Sequence, residues 1–274
     1  MTPPIGRPRR TRGPAAPPAA PSPTSAAKPE TNGSMRLSKR MAELGLCSRR
    51  EADEWIERGW VFVDGVRTDV LGSKVLPQQK ITVTRAAAQE QEQRVTILIN
   101  KPIGLVSGQA EDGYKPAATL VVPDFHWAGD ARTLAADWRP PRGLAPAGRL
   151  DIDSTGLLVL TQDGRIARQL INDDSEIEKE YLVRVAGTLT EENLRLLNNG
   201  MALDGEPLRP ARVEWQNKDQ LRFVLREGKK RQVRRMCELA GLYVAALRRV
   251  RIGRVMLGEL PVGQWRYLAA DEKF

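Results

Sequence analysis

The sequence predicts an α+β protein in which a small basic module precedes a larger domain built on a mostly antiparallel mixed sheet. Apolar strand patterns outnumber helical ones, and the helices do not alternate regularly with strands as a doubly wound parallel fold requires. A polar, low-complexity stretch also separates two regions of different composition. We therefore expect a tail at residues 1–34, a module at 35–84, a linker at 85–94 and a main domain at 95–274.

The composition favours a polyanionic partner. The chain has 43 Lys and Arg against 34 Asp and Glu, a formal net charge of +9, and nucleic acid is the commonest partner of so basic a protein. No apolar run approaches the roughly 20 residues that a membrane helix needs, and the N-terminus lacks the apolar segment of a signal peptide. We expect a cytoplasmic protein with no membrane partner.

Residue counts exclude a structural zinc site and leave one histidine for a nucleophile–histidine site. Cys47 and Cys237 lie far apart, and His126 is the only histidine. A structural zinc site needs about four Cys or His ligands, so we expect no metal. A nucleophile–histidine site would have to use His126, which lies in a Pro/Gly/Trp-rich stretch that predicts a surface loop inserted at residues 124–145. We expect a structural role for this histidine.

Turn signals and short periodic segments define the elements of the first two regions. The tail is rich in Pro, Ala, Ser and Arg without periodicity, which predicts disorder. In the module, apolar spacing predicts the first helix, a Ser-x-x-Glu capping box the second, and Asp-Gly a β-hairpin. In order, these are a helix at Met35–Leu44, a helix after Ser48, a hairpin at Trp60–Val63 and Val66–Thr68, and a strand at Lys80–Thr84.

The main domain carries six apolar strand candidates and three helical ones. The predicted strands are Val95–Ile99, Leu157–Leu160, Tyr181–Val185, Val213–Trp215, Leu221–Leu225 and Tyr243–Leu247. The predicted helices are Arg165–Ile171, Thr190–Asn198 and Gln232–Leu239.

The sharpest local signal is the segment "PAGRLDIDSTGLLVLTQDG", Pro146 to Gly164. Its i, i+2 spacing puts Asp151 and Asp153 on one face of an extended segment. Two carboxylates suit glycoside hydrolysis or a metal ion, although no further ligands cluster nearby. Asp and Ser also cap turns, and we favour that role for Asp153 and Ser154.

Several segments together resemble the RsuA family of pseudouridine synthases. The stretch "RLSKRMAELGLCSRREADEWIERGWVFVDGVR" resembles the S4 (αL-type) RNA-binding fold, and "GRLDIDSTGLLVLTQDG" resembles the family's catalytic motif. The segments "INKPIGLVS", "EKEYLVRV", "REGKKRQVRRMCELAG" and "LRRVRIGRVMLGELPVGQWRYL" match in the right places. Within the family the chain is most similar to the branch typified by RluF.

The resemblance implies conversion of a uridine in large-subunit 23S ribosomal RNA to pseudouridine, by a monomer without a cofactor. It admits the anticodon of a tyrosine tRNA as a second substrate. It also implies catalytic roles for Asp151 as the essential carboxylate, Arg234 as its cationic partner and Tyr181 stacked on the uracil. Arg149 would fill the space left by the extruded base. RNA-phosphate contacts are expected from Lys39, Arg40, Arg49, Arg50, Lys229, Lys230 and Arg231.

Three alternatives stay open at this point. One is a synthase for small-subunit ribosomal RNA, since the tail and the insertion depart from the family pattern. The second is a non-catalytic S4 protein of ribosome assembly, which has no use for the set Asp151, Tyr181 and Arg234. The third is a carboxylate-pair glycosidase, which requires Asp153 to be as essential as Asp151.

Overall fold

A computed structural model describes residues 33–274. The predicted tail, apart from its last two residues, lies outside this range. The α+β class is confirmed, and the sheet of the main domain is antiparallel at every strand pair except one.

Residues 35–83 place two short helices against a three-stranded antiparallel sheet, in which Val61–Val63 lies between Val66–Thr68 and Ile81–Val83. The first helix starts two residues later than expected, because Met35 and Arg36 form a short strand that pairs with Lys74–Val75. The side chains of Leu37, Trp55 and Val61 are buried between helices and sheet. The elements are β1 (Met35–Arg36), α1 (Leu37–Glu43), α2 (Arg49–Glu57), β2 (Val61–Val63), β3 (Val66–Thr68), β4 (Lys74–Val75) and β5 (Ile81–Val83).

The predicted cap and hairpin of this module are confirmed. Ser48 Oγ accepts the backbone N–H of Glu51, and the Glu51 carboxylate accepts the N–H of Ser48, so the capping box of α2 is complete. The hairpin turn uses Asp64 and Gly65 with φ of 49° and 82°, the left-handed pair that a two-residue β-turn requires.

The segment predicted as a linker is helical. It forms α3 (Arg85–Glu92), which begins where Thr84 Oγ1 accepts the N–H of Ala87 at 3.3 Å. Ala87 is fully buried against the core of the first module. The polar composition of the segment therefore reflects a helix with one small apolar contact rather than an extended connection.

The main domain is built on a nine-stranded sheet. Within this sheet only the strands Thr155–Thr161 and Tyr243–Ile252 run parallel to each other. Each predicted strand is present, most of them longer than expected. The strands of this domain, including two small pairs outside the sheet, are β6 (Thr96–Lys101), β7 (Leu105–Val106), β8 (Lys115–Pro116), β9 (Ala145–Pro146), β10 (Thr155–Thr161), β11 (Lys179–Ala186), β12 (Ala202–Leu203), β13 (Glu206–Pro207), β14 (Arg212–Asn217), β15 (Gln220–Leu225), β16 (Tyr243–Ile252), β17 (Val255–Met256) and β18 (Trp265–Tyr267). The central path of the sheet is β14-β15-β11-β16-β10-β6-β18, with β9 on β10 and β17 on β16.

The three predicted helices are present, and they cover the two faces of this sheet. They are α4 (Gly164–Ile171), α5 (Glu191–Asn198) and α6 (Gln232–Leu239). Leu197 of α5 and Met236 of α6 belong to one buried cluster, whereas Leu170 of α4 belongs to another. The alternation of buried residues along β10 supplies both clusters, because successive side chains of a strand point to opposite faces.

The insertion at residues 124–145 is largely irregular, as expected, and it covers the edge strand β18. Trp138 stacks on Trp265 with ring centroids 5.4 Å apart, and its Nε1 donates to the hydroxyl of Tyr267 at 2.9 Å. The backbone of β18 is engaged as well: Trp265 O accepts the N–H of Trp127 at 2.9 Å, and Tyr267 N donates to Asp130 at 2.8 Å. His126 Nε2 lies 2.9 Å from the same carboxylate, which is a structural role.

A buried carboxylate joins the N-terminal module to the main domain. Glu51 is 5% exposed; besides capping α2 it accepts the N–H of Gly164 at 3.1 Å and pairs with Arg94. A Cβ at position 164 would lie 2.2 Å from the Cβ of Ser48. The first turns of α2 and α4 therefore meet with one carboxylate between them.

We expect Glu51→Ala to destabilise the protein by about 2–4 kcal/mol, because two backbone N–H groups and a guanidinium lose their acceptor in a buried place. Urea unfolding of the full chain measures this. Glu54→Ala, at an exposed position of the same helix, is the matched control and should change the unfolding free energy by less than about 0.5 kcal/mol. Equal effects of the two variants would contradict the assignment.

Candidate active site

Asp151 lies in the loop between β9 and β10, and this loop is fixed from both sides. The hydroxyl of Ser107 donates to Leu150 O at 2.7 Å and accepts the N–H of Leu150 at 2.8 Å. On the other side, Gly104 N donates to Ile152 O at 3.0 Å. The segment "INKPIGLVS" thus positions the residues that flank Asp151.

The carboxylate of Asp151 is open and faces two cations. Its side chain is one-third exposed, with Arg231 Nη1 at 3.8 Å and Arg234 Nε at 3.9 Å from Oδ2. Within residues 33–274 it accepts no side-chain or backbone hydrogen bond that meets normal geometry. Both oxygens are therefore available to a ligand, and two guanidinium groups lie close to the carboxylate.

Arg234 reaches this loop from α6 and is anchored to the residues after Asp151. Its Nη2 donates to Asp153 O at 2.9 Å and to Ser154 Oγ at 3.3 Å. Its Nε is buried and has no partner in the part of the chain that the structure describes. The expected partnership of Arg234 with Asp151 is thus a contact between charges rather than a hydrogen-bonded pair.

The turn expected at Asp153 and Ser154 is present, but the Asp153 carboxylate does not cap it. The turn is closed by Ser154 N, which donates to Asp151 O at 3.1 Å. The Asp153 carboxylate instead receives both terminal nitrogens of Arg231, at 3.3 and 3.1 Å. Burial alone would raise the pKa of Asp153, but the hydrogen bonds from Arg231 and the charge of Arg234 outweigh it and hold that pKa below its ordinary value.

Tyr181 lies on β11, where it is 9% exposed, and is tied to the Asp151 loop through Arg249. Arg249 pairs with Tyr181 across the two strands, and its guanidinium carbon lies 6.0 Å from the ring centroid. The same guanidinium donates to Leu157 O at 2.8 Å and to Arg149 O at 3.3 Å. Asp151, Arg234 and Tyr181 thus belong to one connected set of contacts.

Arg149 and the basic residues expected to bind phosphate lie at the surface with different degrees of pairing. Arg149 is 81% exposed, with Glu111 as a distant partner at 3.9 Å. Arg49, Arg50 and Lys230 are exposed. The others contact acidic groups: Lys39 and Arg40 lie 3.8 Å from Glu43, Lys229 lies 2.8 Å from Glu206, and Arg231 holds Asp153.

Two buried cations beside the site were not found by sequence reasoning. Arg249 is 5% exposed and Lys101 is fully buried; Lys101 Nζ donates to Pro102 O and Leu105 O at 2.8 and 2.9 Å. Burial lowers the pKa of Lys101 to about 8, although Asp151 and Asp153 act in the opposite direction. Lys101 lies in the motif "INKPIGLVS" and Arg249 in the motif "LRRVRIG". Neither motif signals burial of its charge, because a charged residue in a short strand is usually exposed.

The remaining reactive residue types do not form a second centre in the described range. Burial raises the pKa of both cysteine thiols, Cys47 and Cys237, to about 12, which leaves them poor nucleophiles. Between residues 33 and 274 no three His, Cys, Asp or Glu side chains are grouped to hold a metal ion. In the same range, no helix combines the length and apolar character needed to span a bilayer.

Comparisons with known proteins agree on one family. Residues 95–239 match the model of the family described as RNA pseudouridylate synthase, and residues 35–81 match the S4 domain. The chain is 37% identical over 243 residues to the dual-specificity RNA pseudouridine synthase RluF of Escherichia coli (strain K12), covering 88% of this chain and 78% of that protein. It is 35% identical to the ribosomal large subunit pseudouridine synthase B of Bacillus subtilis (strain 168), covering 86% and 93%. A crystal structure of a pseudouridylate synthase superposes with a TM-score of 0.58 at 28% identity, over 86% of this chain and 96% of the other.

Proposed function

The chain belongs to the RNA pseudouridylate synthase family and isomerises uridine in RNA to pseudouridine; from this premise we propose that its target is a uridine of large-subunit ribosomal RNA and that Asp151 is the essential carboxylate. The observation that carries the second part is the open carboxylate of Asp151, which faces two guanidinium groups at 3.8 and 3.9 Å. The contacts of Arg234 with the Asp151 loop, and the link of Tyr181 to it through Arg249, support their expected roles.

The reaction leaves the atomic composition of the nucleotide unchanged. The C1′–N1 bond breaks and its electron pair stays on the uracil; the base then rotates and C5 forms the new bond to C1′. The proton on C5 is lost to a base, and N1 gains a proton. No electron is transferred to or from an outside group, so the chemistry requires no redox cofactor.

An ionised Asp151 suits either step order that this balance allows. As a nucleophile it would attack C1′ as the uracil leaves; as a base it would take a proton from the sugar and give a glycal. Both routes need a charged carboxylate with a free oxygen. The guanidinium groups of Arg231 and Arg234, at 3.8 and 3.9 Å from Oδ2, place positive charge beside this carboxylate.

Access to a stacked uridine requires that the base leave its helix or loop. Arg149, two residues before Asp151 and largely exposed, is suited to enter the vacated space. Tyr181, on β11 opposite Arg249, carries the ring that would stack on the extruded uracil, a contact that contributes about 1–3 kcal/mol in single-stranded recognition. The exposed arginines of α2, Arg49 and Arg50, would contact phosphates at a distance from the reacting nucleotide.

The choice of RNA rests on the relatives. Proteins named for the large ribosomal subunit or for dual specificity share 35–37% identity with this chain over most of its length. The resemblance to the RluF branch brings a tyrosine tRNA into the proposal as a second substrate. The proposal also includes a monomer located in the cytoplasm, where ribosomal RNA is available. A carboxylate-pair glycosidase is disfavoured, because Asp153 is occupied by Arg231.

Mapping of pseudouridine on defined RNAs tests the proposal. The purified full chain is incubated with unmodified transcripts of large-subunit RNA, small-subunit RNA and tyrosine tRNA, and pseudouridine is located by carbodiimide adducts that stop primer extension. We expect new stops at one or a few uridines of the large-subunit RNA. Stops confined to small-subunit RNA would overturn the choice of substrate, and unmodified uridine in all three RNAs would favour the non-catalytic binding protein.

A further inference from the structure

Asp153 and Asp151 lie two residues apart, yet they differ sharply in their hydrogen bonding. Asp153 receives two hydrogen bonds from Arg231 and lies 3.2 Å from Arg234 Nη2. Asp151 receives none within the described residues, although the same two arginines approach it to 3.8 and 3.9 Å. Two cations are thus distributed unevenly between two neighbouring anions.

We propose that Asp153 is a positioning residue that holds Arg231 away from Asp151, so that the oxygens of Asp151 stay free for the uridine. This inference rests on the proposed function, in which Asp151 is the essential carboxylate. Asp153 acts through Arg231 and does not itself contact the reacting atoms.

The anchoring of the two arginines explains why Arg231 is the one that needs restraint. Arg234 keeps two further acceptors, the carbonyl of Asp153 and the hydroxyl of Ser154, neither of which depends on the Asp153 carboxylate. Arg231 has only that carboxylate as a hydrogen-bond acceptor within residues 33–274. Without it, Arg231 Nη1 needs to move by only about 1 Å to form a charge-assisted hydrogen bond with Asp151.

The backbone of Arg231 indicates that its position is enforced. Arg231 precedes α6 with φ of 51° and ψ of 30°, a left-handed conformation that is uncommon for residues other than Gly, Asn and Asp. Strained residues of this kind persist where the surrounding structure holds them, and they concentrate at functional sites. Here the strained turn directs a long cation across the Asp151–Asp153 loop, and the second carboxylate receives it.

A hydrogen-bonded guanidinium on Asp151 would hinder the reaction in two ways. It would occupy a lone pair that must reach C1′ or a sugar proton, and it would make the carboxylate a weaker nucleophile or base. RNA binding would change little, because phosphate contacts elsewhere supply most of the affinity. Loss of Asp153 should therefore appear in kcat rather than in KM.

A double-mutant cycle tests the proposal. Asp153→Ala, Arg231→Gln and the double variant are compared by release of tritium from [5-³H]uridine in large-subunit RNA transcripts, with RNA affinity measured by filter binding. We expect Asp153→Ala to lower kcat at least about tenfold with KM and RNA affinity within about threefold. In the Arg231→Gln background the same change should alter kcat by less than about threefold, because the cation that would close onto Asp151 is absent.

The outcomes separate the possible failures. A tenfold or larger loss in both backgrounds would overturn the positioning role, because it would mean that Asp153 acts independently of Arg231. Unchanged kcat in Asp153→Ala would overturn it as well. Asp153→Asn, which keeps the side-chain volume, and Asp173→Asn, an exposed acid elsewhere, control for folding through their melting temperatures. Tritium release by Asp151→Ala would instead refute the proposed function, whatever the cycle shows.

Discussion

Asp151→Asn should lower kcat by at least about a thousandfold, equivalent to about 4 kcal/mol or more of transition-state stabilisation. The amide has the size of the carboxylate but neither attacks C1′ nor accepts a proton from the sugar at neutral pH. Tritium release from [5-³H]uridine in large-subunit RNA, under single-turnover conditions, measures the chemical step directly.

The same substitution should leave binding and folding almost unchanged. Asp151 is one-third exposed and accepts no hydrogen bond in the described range, so its replacement removes no hydrogen bond. We expect RNA affinity within about threefold and an unfolding free energy within about 1 kcal/mol of the original protein. Asp137→Asn, at an exposed position of the insertion, is the control. Near-normal tritium release by the Asp151 variant would remove the basis of the proposed mechanism.

Gly156→Ala should destabilise the protein by about 3 kcal/mol or more. Gly156 has φ of 106° and pairs with Arg249 where β10 and β16 run parallel. A Cβ at this position would lie 2.2 Å from the carbonyl oxygen and 2.7 Å from the nitrogen of Arg249, both of them backbone atoms that cannot move independently. Overpacking costs about 1–3 kcal/mol, and the unfavourable φ adds about 1 kcal/mol or more.

A second glycine separates these two contributions. Gly258 also has a left-handed φ, 57°, but a Cβ there would meet no atom within 4 Å. Gly258→Ala should therefore cost only about 1 kcal/mol. Urea unfolding compares the stabilities of the two variants. Tritium release measures whether the folded fraction of Gly156→Ala remains active when the strand that carries Arg249 is displaced. A cost at Gly156 no greater than at Gly258 would show that the two strands separate easily.

Local pattern predicts most elements of this chain, because their signals are local. The capping box at Ser48, the Asp64-Gly65 turn and the apolar faces of β10 and α6 all depend on residues within one or two turns of each other. The strand β18 and the two-residue strands have no such signal; they are defined by partners far along the chain. The helix α3 was missed because its buried face consists of one alanine and one glutamine, Ala87 and Gln91, which give no apolar periodicity.

The site shows the same division between local and distant information. The motif around Asp151 predicts a special loop, but only the fold shows that Arg231 and Arg234 approach it from α6. The pairing of Asp153 with Arg231 links residues 78 positions apart, so turn propensity predicted the turn at Asp153 but not the partner of its carboxylate. Arg249 and Lys101 escaped notice because their burial is set by neighbouring strands rather than by adjacent residues.

The loop at residues 124–145 has a consequence for how the protein behaves at high concentration. A terminal strand normally offers a row of unpaired amides and carbonyls to which another chain can add, and such addition leads to aggregates. In β18 the outward carbonyl of Trp265 and the outward amide of Tyr267 are already bonded to the loop, and a tryptophan closes the flank. Shortening the loop would uncover that row, so its residues serve solubility even where they play no part in recognising RNA.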